Sequence, residues 1–148
     1  MDNSKEITLL NKLISRNYDA EKGYKEAAQR AENSALKSFF TDQVKERYDF
    51  GHDIKPMIIV DGGEVQKGTS ILGDLHREIM KIKDMVTDAD DEAIVEECLR
   101  GEEFSKTDYQ TAIESAEVDA KNKKVLETHL KAINKAITKL TDLKAILG

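Results

Sequence analysis

Four ionisable side chains fall where a helix would keep its apolar stripe. Glu21 continues the series Ile7, Leu10, Ile14 and Asn17. Arg47 and Gln43 sit between Phe40 and Phe50. Glu102 lies with Cys98, Ser105, Tyr109 and Ala112, and His129 with Leu126 and Ile133. The phase follows from a rotation of roughly 100° per residue. Two carboxylates and an imidazole on facing helices invite a metal reading. A di-iron carboxylate bundle takes one Glu from each of two helices and a Glu-x-x-His pair from each of the other two. Glu21 and Glu102 could be the lone carboxylates and His129 a third ligand, for iron, manganese or zinc. The pattern then breaks. Arg47, a fixed cation, stands on the second helix where a carboxylate belongs, and Leu126 stands where the partner Glu of His129 would be. An inward arginine supplies the positive charge that a metal would otherwise bring. The expected arrangement is a buried polar network of Asn17, Glu21, Gln43, Arg47, Glu102 and His129, because buried acids persist only when paired. No cofactor is expected.

Other candidates read as surface or packing residues. Asp49 and His52 have a metal-ligand spacing, but their phase is more than ~130° from the apolar stripe. His76 flanks an apolar face and fits a capping or packing role. Asp88, Asp90, Asp91 and Glu92 resemble a calcium loop in composition only, since Ala93 occupies the glycine position. Cys98 falls on the packed stripe with no base beside it, as an inert thiol would.

These side chains need long helices to hold them. The apolar positions predict helices over about Ser4–Ala31, Ser34–Ile59, Asp90–Ala116 and Ala120–Leu147, with a shorter one over about Ile71–Val86. Ser34 is the expected N-cap of the second, and Pro56 is expected to kink or loosen its last turn. Asp61-Gly62-Gly63 breaks the chain. Short links make the first and second, and the fourth and fifth, antiparallel neighbours. The connection over about 60–89 is long enough to run back along the bundle. Two hairpins joined by one crossover is the order of a ferritin-like fold. The expected architecture is therefore all-α: one domain over 1–148, a ferritin-like four-helix bundle with a short extra helix in the crossover between helices 2 and 3.

The composition agrees. One proline, no tryptophan and 35% charged residues suit amphipathic helices better than a sandwich or barrel. The net charge of -6 argues against general nucleic-acid binding, and Lys121, Lys123 and Lys124 read as a solvated helix start. No apolar run reaches the ~20 residues of a membrane span. One cysteine and a polar start fit a cytoplasmic protein.

Several ordered motifs also resemble a known family. Glu21-Lys-Gly-Tyr-Lys-Glu-Ala-Ala28 is similar to its first-helix signature, Gly62-Gly63 and Gly73-Asp-Leu-His-Arg77 to its crossover, and Ala93-Ile-Val-Glu-Glu-Cys-Leu-Arg-Gly-Glu-Glu103 to its third main helix. The family is a group of bacterial ferritin-like four-helix-bundle proteins of unknown function. The resemblance implies the fold and brings no activity, since a fold hosts many functions. The leading expectation is a non-enzymatic bundle acting through self-association, as a homodimer, or through a protein partner. The alternative is a metal-binding or redox protein of the di-iron carboxylate type, with Glu97 or Glu103 as extra ligands.

Overall fold

The computed structural model describes residues 3–66 and 90–147. They form four helices: α1 (Ser4–Arg30), α2 (Ser34–Val60), α3 (Asp91–Glu114) and α4 (Ala120–Leu147). There is no strand among the described residues. The expected crossover helix, with His76 and Asp88, lies outside them. α1 pairs with α2 and α3 with α4 as antiparallel hairpins. The hairpins meet chiefly along α1 and α3, with a sparser contact between α2 and α4.

Helix boundaries follow local chemistry. The α1–α2 break is capped one residue earlier than expected. Asn33, not Ser34, is extended (φ -67°, ψ 126°), and its side chain accepts from the Leu36 N–H. Asparagine in that conformation satisfies a donor that the first turn leaves free. Asp90 caps α3 by accepting from the Ala93 N–H. Pro56 is exposed, and α2 continues beyond it for one turn to Val60. Gly62 then takes a left-handed conformation (φ 84°) that ends the helix. A Cβ on Gly63 would meet Ile7 at 2.7 Å, so glycine lets the end of α2 lie against α1.

Two carboxylates fasten each hairpin's turn to the other hairpin. Asp91 at the start of α3 accepts from the N–H groups of Glu32 and Asn33 in the α1–α2 turn, both at 2.8 Å. At the opposite end, Glu6 of α1 accepts from the Asp119 N–H in the α3–α4 turn.

The core is two apolar clusters. One gathers Leu10, Leu13, Ile14, Phe50, Ile54, Met57, Tyr109, Leu126 and Ile133. The other gathers Tyr24, Ala27, Leu36, Phe40, Ile94, Val95 and Leu140. Along α1, α2 and α3 the polar residues Asn17, Gln43, Arg47, Glu102 and Ser105 fall between them in sequence, and all five are buried.

Candidate functional site

At the centre of that polar layer, Arg47 of α2 crosses the bundle to Glu102 of α3. Its Nη1 donates to Oε1 and its Nη2 to Oε2, each at 2.6 Å. The guanidinium is wholly buried and the carboxylate 1% exposed. Gln43, one turn earlier on α2, accepts a third bond from Nη2 at 3.1 Å. The cation also lies over the rings of Tyr24 and Phe50, at 5.6 and 5.9 Å. Burial disfavours its charge, but the Glu102 carboxylate outweighs burial and raises its pKa further. The fork is a bidentate pair whose fixed geometry matches arginine and not lysine.

A second chain of hydrogen bonds runs from the interior to the surface. Asn17 Nδ2 donates to the Tyr109 hydroxyl at 2.7 Å, and also to the Leu13 carbonyl at 3.0 Å. The Tyr109 oxygen lies 2.9 Å from His129 Nδ1, and His129 Nε2 lies 2.9 Å from Asp53 Oδ2. One assignment satisfies every group. Nε2–H of a neutral imidazole donates to Asp53, Nδ1 accepts from the tyrosine O–H, and the tyrosine oxygen accepts from Asn17. Burial lowers the His129 pKa, against the pull of Asp53, which favours the neutral ring. The imidazole also stacks on Phe50, with centroids 3.9 Å apart and planes 13° from parallel.

Glu21 stands apart from both sets. It is half-buried in a groove between α1 and α2, beside Tyr18, Tyr48 and Gly51, and among the described residues it has no hydrogen-bond or ion-pair partner. Its phase is that of the stripe, but among the described residues nothing closes over the groove that it lines with Gly51. Glu21→Gln is therefore expected to change stability by less than about 0.5 kcal/mol, as surface substitutions do. Urea denaturation of the variant measures it.

These positions do not fit a metal centre. Both oxygens of Glu102 accept from Arg47, both nitrogens of His129 bond to Tyr109 and Asp53, and Glu21, though it lines a groove with Asn17 and Arg47, bonds to none of these groups. The extra ligands considered from the sequence do not complete a set. Glu97 pairs with Arg30 at 3.2 Å, and Glu103 is exposed. No group of three His, Cys, Asp or Glu side chains among the described residues is placed to hold an ion. Asp49 and His52 are exposed. Cys98 is half-buried, and burial pushes its thiol pKa up, away from the reactive thiolate.

Other buried polar residues left no mark in the sequence. Arg16 donates from Nε to Asp108 at 2.6 Å, and Lys12 approaches the same carboxylate at 3.5 Å. Asn11 donates to the Glu64 carbonyl and accepts from the Gln66 N–H, each at 2.9 Å, tying the chain after α2 to α1. Asp19, 4% exposed, lines a cleft between α1 and α3, and among the described residues its Oδ2 has no hydrogen-bond partner. Burial pushes its carboxyl up to about 7, with Arg16 and Lys22 opposing. Asp53 carried the one available signal: it sits beside Ile54 and one turn after Phe50, at the edge of the α2 stripe.

No curated protein matches the chain. Among solved structures, it is similar to the dodecameric thioferritin described as the bacterioferritin-related protein from Bacteroides fragilis. The TM-score is 0.76 at 15% identity, over 99% of this chain and 89% of that one. At that identity the likeness establishes the ferritin-like fold. A family model described as a domain of unknown function, DUF2383, matches residues 5–115, from the first turn of α1 to just past the end of α3. The chain belongs to that family, with the architecture of a ferritin-like four-helix bundle.

Proposed function

We propose that this protein is a non-enzymatic bundle that works through its surface, first by self-association, in the cytoplasm. The observation that carries the proposal is the Arg47–Glu102 fork. It sets a charge-compensated pair between the hairpins, with both oxygens of Glu102 accepting from Arg47. What remains for function is the exterior. The similar thioferritin is described as a dodecamer, which supports assembly of bundles of this shape. The exposed Ile59, Val60 and Ile146, at 64, 84 and 78%, supply apolar surface that a partner could cover. No helix among the described residues is long and apolar enough to cross a membrane.

Sedimentation velocity over a range of protein concentrations is expected to show a species heavier than the 16.7 kDa chain. A monomer at every concentration would remove self-association. Ferrous iron added in air is expected to oxidise no faster than in buffer. Rapid oxidation abolished by Glu21→Ala would instead favour the di-iron carboxylate reading.

A further inference from the structure

The outward faces of α3 and α4 carry opposite charge. α3 holds eight acidic and two basic residues, and α4 seven lysines and two acids. On α3 the exposed residues Glu92, Glu96, Glu103, Thr107, Gln110 and Glu114 share one face, opposite the buried Ile94, Glu102 and Tyr109. On α4 the exposed Lys124, Lys131, Lys135 and Lys139 form the outward row, opposite the buried Leu126, Ile133 and Leu140. Lysines four apart repel one another along a helix unless an anion lies between them.

The pairs Glu96–Lys144 and Tyr109–His129 fix the register of the α3–α4 hairpin. In that register Glu103 is level with Lys135, and Glu114 with Lys124. Neither pair closes within the chain, and among the described residues none of these four side chains has an ion-pair partner. Each points outward beside its opposite.

We infer that the α3–α4 face binds a second copy of this chain about a two-fold axis parallel to the helices, with α3 of each copy against α4 of the other. Rotation about such an axis keeps every residue at its own height and exchanges left with right. It brings Glu103 of one copy to Lys135 of the second and Glu114 to Lys124, each pair formed twice. A two-fold contact must be self-complementary, and adjacent acidic and basic stripes at matching height satisfy that condition. This inference rests on the self-association proposed above and names the surface that performs it.

The test uses the full chain and two charge-reversed variants, Lys124→Glu/Lys135→Glu and Glu103→Lys/Glu114→Lys. All four are surface changes, and circular dichroism checks that each variant keeps its helices. Sedimentation velocity at low and high salt reads the association. The unaltered chain is expected to form dimers that weaken at least tenfold between about 0.05 M and about 1 M salt, as exposed charge pairs are screened. Each variant alone is expected to be monomeric, since like charges then face each other. An equimolar mixture of the two is expected to form dimers again, because both pairs are restored with sign reversed. Association unaffected by salt and by both variants would overturn this interface and leave self-association standing through another face. A monomeric unaltered chain would overturn both. A monomer that binds a short DNA duplex and loses that binding in Lys124→Glu/Lys135→Glu would assign the lysine row to a polyanion instead.

Discussion

Arg47→Met is expected to destabilise the bundle by about 3–5 kcal/mol, a large share of a domain's usual 5–15. The loss comes from what is left behind. Glu102 would be left at 1% exposure with both oxygens stripped of their donors, and Gln43 would lose its bond to Nη2. Methionine is flexible and of similar length, so a void contributes little. For a chain of this size the melting temperature would fall on the order of 10 °C. Arg47→Met combined with Glu102→Gln is expected to recover much of the loss, since a neutral amide costs far less to bury than an unpaired carboxylate. Urea titrations of the three proteins decide it. A change below about 0.5 kcal/mol in Arg47→Met would mean that the fork does not hold the hairpins together.

Asp19→Asn is expected to act in the opposite direction and to depend on pH. Burial raises the folded carboxyl to about 7, from an ordinary value of 3.8. Between those two values the folded state binds the proton that the unfolded state has released. Stability therefore falls as pH rises through this window, and above the upper value the full cost is present. Asparagine cannot ionise and escapes the cost. The variant should match the parent near pH 4, gain steadily up to pH 7, and hold a constant advantage at pH 8. The difference between 3.8 and about 7 sets the ceiling of that advantage at about 4 kcal/mol, less whatever attraction to Arg16 and Lys22 is lost. Melting curves of both proteins at pH 4, 6 and 8 check it, and a difference that stays flat across them would contradict the buried, unpartnered carboxyl.

The helical stripes were legible because each helix buries one face against its hairpin partner. The phase rule therefore reached Asn17, Gln43, Arg47, Glu102 and His129, all of them 8% exposed or less. It could not see Glu21's surroundings, because phase gives a direction and not the size of the opposing residue. Among the described residues Glu21 is half-buried in a groove that Gly51 also lines. Nor could it find Asn11, Arg16 and Asp19. The middle of α1 is covered on more than one side, by α2, α3 and residues 64–66, so polar side chains are buried off the apolar stripe. A single-face template has no place for them. Ser34 was one residue from the actual cap because Asn33 and Ser34 are both good caps, and the backbone turns extended at Asn33.

The carboxylates of Asp91 and Glu6 hold the turns at opposite ends of the bundle. Each turn is thereby an exposed stretch of backbone whose amide protons cannot exchange by fraying alone. To free the N–H groups of Glu32 and Asn33, the start of α3 must lift away. To free that of Asp119, the first turn of α1 must lift away. The weakest parts of most helical hairpins are thus coupled here to separation of the two hairpins, so the turns should open with the global unfolding event and not ahead of it.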